Sequence, residues 1–209
     1  NTIGKVPPAK PGIEGDYNSN DSVDIEVDIS DPALSYTYQI VPANTPNYDD
    51  AAWQPVPDLI RFDEEGIWHL YLRVHDGISY VVSDPILIVI DKTSPTTPSI
   101  TEDKLDSKTV KVLVADGSDA LSGIRVTHIY INGEDKTVES KMRTALRELL
   151  FDKAGTYEIK AQSEDMVGNL SPEATHTVTI KSSSNNSSDE QPSNQNTTTI
   201  YNGAFAGGK

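Results

Sequence analysis

A chain of 209 residues with 32 acidic and 17 basic side chains, a formal charge of -15 and no cysteine excludes several classes at once. It lacks the clustered Lys and Arg that nucleic acid or anionic lipid would need, and neither disulfide staples nor thiolate chemistry is open to it. Its longest apolar run, Pro85 to Ile90, is far too short to insert in a membrane.

In chain order, residues 1–12, with Pro7, Pro8 and Pro11, predict an extended lead-in to an edge strand, where proline is tolerated. Period-two alternation then predicts strands over 22–28, 35–41, 59–62, 67–75 and 78–90, the last broken at Asp84-Pro85. Between the second and third lies a proline-rich loop, 42–57. Further strands are expected over 109–115, 125–132, 136–139, 156–164 and 174–181. Residues 141–151 have a helix-friendly composition. From 182 to 199 the chain is Ser, Asn, Gln and Thr with almost nothing apolar, which predicts a flexible linker. Residues 200–209 regain Ile, Tyr and Phe and suggest the start of another element or a docking strand.

The chain is one domain written twice. Gly66, Trp68, Leu70, Leu72 and Asp76 align with Gly155, Tyr157, Ile159, Ala161 and Asp165 at an offset of 89 residues. Upstream, Val23, Ile25 and Val27 align with Val110, Val112 and Val114 at an offset of 87. In each copy the aligned residues share one parity and face a core, while His69, Tyr71 and Arg73 share the other and face water. The acids concentrate in the first copy: 16 against 5 bases over 1–92, but 14 against 11 over 93–181.

Asp91-Lys-Thr-Ser-Pro95, Asp119-Ala-Leu-Ser-Gly-Ile124, Gly155-Thr-Tyr157 and Glu164-Asp-Met-Val-Gly-Asn-Leu-Ser171 resemble the motifs of bacterial immunoglobulin-like repeats in large surface proteins. Residues 93–181 match nearly throughout. The first copy is looser, since Asp76-Gly-Ile-Ser-Tyr80 lacks the Gly-Asn pair. The resemblance implies an all-β chain: immunoglobulin-like β-sandwiches over 1–92 and 93–181, then the polar linker 182–199 and the terminal segment 200–209. It also implies a strand rather than a helix over 141–151, and an extracellular setting, at the cell surface or secreted.

No motif carries chemistry. The histidines at 69, 75, 128 and 176 lack paired zinc spacing, no serine sits in a nucleophile elbow, and the adjacent carboxylates are those expected on acidic loops. A non-enzymatic protein is expected. Two candidate sites stand out. Trp53, with Tyr48 nearby in the proline-rich loop, could stack on a sugar or a host protein. Asp28, Asp76, Asp91 and Asp165, at strand ends or the junction, offer hard oxygen ligands suited to calcium, the one cofactor with a rationale here. The expected role is a structural spacer whose partners are other domains of the same polypeptide. The rivals are an adhesin or recognition module, and a subunit of a self-assembling layer or filament.

Overall fold

Alternation along the strand Gly66–His75 sets the layers of the first half. Leu70, Leu72 and Val74 are buried on one side, joined by the partly buried Trp68, while His69, Tyr71 and Arg73 face the other. The computed structural model describes residues 16–29, 31–138 and 146–182, and the backbone of 199–201. Every regular element in them is a β-strand. The chain divides into two units, 1–93 and 94–209.

The first unit contains β1 (Tyr17–Ser19), β2 (Val23–Ile25), β3 (Ser35–Pro42), β4 (Gln54–Pro55), β5 (Ile60–Phe62), β6 (Gly66–His75), β7 (Tyr80–Val82) and β8 (Ile86–Ile90). One sheet has the order β1-β8-β6-β3-β4, with β7 also on β6, and β2 pairs β5 in a second. Val23, Ile25 and Ile60 of the small sheet pack on Leu70, Leu72, Ile86, Ile88 and Ile90 of the large one. Ser83, just before Pro85, marks the break between β7 and β8. Its N–H donates to the Leu72 carbonyl at 2.8 Å, and its Oγ accepts the Leu72 N–H at 3.0 Å. β1 pairs β8 in parallel, Tyr17 opposite Ile88 and Ser19 opposite Ile90.

The second unit contains β9 (Ser99–Lys104), β10 (Val110–Ala115), β11 (Ile124–Ile131), β12 (Glu134–Asp135), β13 (Leu146–Phe151), β14 (Gly155–Asp165), β15 (Ala174–Ile180) and β16 (Thr199–Tyr201). Two four-stranded sheets result, β16-β13-β10-β9 and β12-β11-β14-β15. Val110, Val112, Val114, Leu149 and Phe151 of one meet Ile129, Ile131, Tyr157, Ile159 and Val178 of the other, the arrangement of an immunoglobulin-like sandwich. Ahead of β9, Thr96 and Ser118 are laced together: the Thr96 N–H donates to the Ser118 carbonyl, and the Ser118 N–H to Thr96 Oγ1.

Several expectations shift. The strand expected over 136–139 forms earlier and is only two residues long, because Asn132-Gly133, both at positive φ, close the hairpin at once. β1, β4 and β9 had no counterpart in the strand pattern. β9 reads Ser-Ile-Thr-Glu-Asp-Lys, and its polar outer positions hide the alternation. The expected strand over 141–151 is present as β13, and residues 141–145 lie outside the described residues, as do 1–12 and most of the linker and terminal segment. Tyr71, placed toward water by parity, is only 7% exposed. The proline-rich loop covers it.

Candidate functional site

The residues that carry the internal repeat turn out to lock turns. Trp68 Nε1 donates to the Glu64 carbonyl at 3.1 Å, and Tyr157 Oη donates to the Lys153 carbonyl at 3.1 Å. Each ring therefore reaches back four residues across the glycine that starts its strand. Gly66, at φ 143, leaves room for the indole, and a Cβ there would stand 3.0 Å from Trp68 Nε1. Past the strand end, Asp76 Oδ1 accepts the N–H groups of Ile78 and Ser79, and Asp165 Oδ1 those of Val167 and Asn169. Ser171 repeats the bonding of Ser83: its N–H donates to the Ser163 carbonyl, and its Oγ accepts the Ser163 N–H. Ser171 closes the Gly-Asn-Leu-Ser stretch read from sequence, whereas Ser83 was not singled out; the shared signal is a serine within two residues of a proline, Ser83 before Pro85 and Ser171 before Pro172.

The four candidate calcium ligands differ in burial and bonding. Asp28 is exposed. Asp91 is fully buried at the end of β8, its N–H donating to the Ser19 carbonyl and its Oδ1 accepting the Thr93 N–H. Among the described residues neither Asp28 nor Asp76 belongs to a group of three potential metal ligands. In the second unit the carboxylates of Asp119 and Asp165 come within 4.8 Å of one another. Asp119 Oδ1 already accepts the N–H groups of Leu121 and Gly123, which closes the Asp-x-x-Ser-Gly turn.

Trp53 and Tyr48 do come together, on the outer face of the large sheet. Gln39 of β3 pins the loop there, its Nε2 donating to the Asp49 carbonyl at 2.9 Å while its Oε1 accepts the Asp49 N–H at 2.7 Å. The Tyr48 ring then packs on Trp53 at 5.2 Å and edge-on to Tyr71 at 5.3 Å. The Arg73 guanidinium lies 4.5 Å from the Trp53 ring centre and 5.6 Å from that of Tyr80, while Arg73 Nε donates to Thr37 Oγ1. Within the unit Trp53 thus contacts Tyr48 and the Arg73 guanidinium. Trp53 stays half-exposed, yet its Nε1 is shielded and meets no acceptor among the described residues. A concavity of about 440 Å³ runs beside the same loop, lined by Gln39, Val41, Asp49, Gln54 and Phe62 among others.

The histidines serve the surface of the sheets. His176 Nε2 meets Glu102 Oε2 at 2.9 Å, tying β15 to β9, and His128 Nε2 meets Glu164 Oε2 at 2.7 Å. Arg125 also bonds Glu164, and together with His128 it holds that carboxyl below its ordinary value of 4.5. A depressed carboxylate stabilises the fold above the ordinary value, and that contribution is lost as pH falls through the lowered one. Glu164→Gln is therefore expected to lower the denaturation midpoint at neutral pH and to flatten its decline below pH 4.5. An unchanged acid limb in urea titrations would show that Glu164 contributes nothing to it.

No protein-family model matches the chain, and no curated protein matches its sequence. Similar solved structures include the FN1–FN3 domains of chicken CNTN1, at 13% identity, covering 84% of this chain and 65% of that one, with a TM-score of 0.42. The fibronectin(III)-like modules of Clostridium thermocellum CbhA are 13% identical over 81% of this chain and 90% of theirs, with a TM-score of 0.39. The D00–D0 domain of intimin is 8% identical over 78% of this chain and 95% of that one, with a TM-score of 0.32. By its own sheets and core, the chain is a modular all-β protein of immunoglobulin-like sandwiches.

Proposed function

We propose that the chain is a non-catalytic spacer segment of a bacterial cell-surface or secreted protein, holding other domains of the same polypeptide in place. The observation that supports this most is the parallel pairing of β1 with β8, the first and last described strands of the first unit. Tension enters at the start of β1 and leaves at the end of β8, so it shears the whole ladder at once instead of unzipping it bond by bond. The Asp91 N–H to Ser19 carbonyl bond extends that ladder by one step. The turn locks described above serve the same end.

Single-molecule stretching of the full chain tests this. The first unit should yield in one step that releases about 25 nm for Tyr17 to Ile90, at a force reduced by Ser19→Pro, since Ser19 is a ladder-bonded residue of β1. Extension at the force of a coiled-coil reference in the same tether would reject the spacer role.

A second reading, recognition of a glycan or host protein, is favoured by one feature: the half-exposed Trp53 with an N–H that lacks an acceptor. Glycan or matrix binding that disappears in Trp53→Ala, with the stretching behaviour unchanged, would decide for recognition.

A further inference from the structure

We infer that the concavity beside the loop 43–53 is a binding site for a neutral pyranose sugar, with Asp49 and Gln54 as its hydrogen-bonding residues. The inference rests on the recognition reading, but it seats the ligand next to the Trp53 ring instead of on it. It is independent of the spacer role.

The concavity has a structural cause. β4 pairs β3 only at Thr37 and Tyr38, so beyond Tyr38 the edge of β3 borders the loop. Ile40 and Val41 of β3 line the resulting space together with Phe62, the last residue of β5 in the other sheet. Its volume of about 440 Å³ falls within the roughly 300 to 1,000 Å³ of small-ligand sites. The loop is fixed in place by its own bonds. Buried Gln39 holds both backbone groups of Asp49, the Asp49 carbonyl also accepts the Ala52 N–H at 3.1 Å, and Asp49 Oδ1 accepts the Ala51 N–H at 2.9 Å. A site shaped before its ligand arrives loses little ordering entropy on binding.

The lining selects the ligand by its chemistry. Ile40, Val41, Ala52 and the Phe62 ring offer apolar surface, and Asp49 is the one charged residue. An anionic ligand would therefore meet only like charge. Two polar groups have capacity to spare. Asp49 Oδ2 has no partner among the described residues, and Gln54, whose Oε1 accepts the Tyr38 hydroxyl at 3.4 Å, has none there for its Nε2 protons. The ligand must then donate to a carboxylate, accept from an amide and present an apolar flank. A pyranose meets all three demands, because each ring hydroxyl both donates and accepts while the C–H groups of the ring pack on aliphatic and aromatic side chains.

Nitrogen–proton correlation spectra of the full chain, titrated separately with cellotetraose, chitotetraose, mannotetraose and maltotetraose, test the proposal. At least one of the four should shift the Val41 amide and the Gln54 side-chain signals. Asp49→Asn, which keeps Oδ1 for Ala51, and Gln54→Leu should each weaken that sugar about tenfold, the loss of one good hydrogen bond. Ala52→Phe, which fills the concavity, should remove binding altogether, and melting curves confirm that each variant is folded. Binding that survives in Ala52→Phe and disappears in Trp53→Ala would return the ligand to the Trp53 ring, overturning this site and keeping the recognition reading. No shift with any of the four sugars at about 10 mM, or a shift only with a capped tetra-alanine peptide, would overturn the site and glycan recognition together.

Discussion

Gly117→Ala is expected to destabilise the second unit by about 3 kcal/mol, lowering its melting temperature by on the order of 15 °C. The cause is steric. A Cβ on Gly117 would lie 1.8 Å from the carbonyl oxygen of Thr96 and 2.9 Å from its carbonyl carbon, both backbone atoms with no rotamer to escape through. Relief requires the segment ahead of β9 to move away from Ser118. That breaks the Thr96 N–H bond to the Ser118 carbonyl and the Ser118 N–H bond to Thr96 Oγ1, and it loosens the Gly117 N–H bond to Ser163 Oγ. Gly133→Ala is the control. Gly133 sits at φ 79 with nothing near its missing Cβ, so only the dihedral cost of about 1 kcal/mol applies. Calorimetry of both variants separates the two effects, and equal losses would refute the collision.

Asp165→Ala should cost a similar amount, about 3 kcal/mol, by removing a buried carboxylate that accepts three hydrogen bonds. The Asp165 carboxyl is fully buried and accepts the Val167 and Asn169 N–H groups on Oδ1 and Asn169 Nδ2 on Oδ2. Asp165→Asn keeps Oδ1 but turns an amide NH2 toward Asn169 Nδ2, so it should recover only part of the loss. Asp106 makes the same kind of turn, accepting Lys108 and Thr109 N–H groups, but in open solvent. There water replaces the lost acceptor, and Asp106→Ala should leave the unfolding midpoint nearly unchanged. If the two alanine variants melt alike, burial is not what makes Asp165 matter.

The sandwich was legible wherever a strand has one wet face. Val110, Val112 and Val114, or Tyr157, Ile159 and Ala161, alternate cleanly because their other neighbours meet solvent. Tyr71 was misplaced for a reason that no local pattern contains: Gln39, 32 positions earlier, draws Asp49 and the loop down over it. β9 stayed hidden because an edge strand protected by charge looks like a loop. At the sites, the spacing marked Asp76 and Asp165 as equivalent, and they are. Their turn-capping role was harder to see, since nothing in the sequence shows which backbone N–H groups curl back onto a carboxylate. Trp53 and Tyr48 were found as a pair, but their third and fourth members, Tyr71 and Arg73, come from the face of a strand that sequence alone assigned to solvent.

The placement of the indoles has an optical consequence. Both tryptophans lie in the first unit, Trp68 against Phe62 at 5.1 Å with its N–H bonded to Glu64, and Trp53 beside the Arg73 guanidinium. Emission excited at the red edge of the tryptophan band therefore reports the first sandwich alone, with one apolar and one half-wet chromophore. The second sandwich is silent at that wavelength and visible only through tyrosines such as Tyr157, so one sample carries two separable spectroscopic channels, one for each unit.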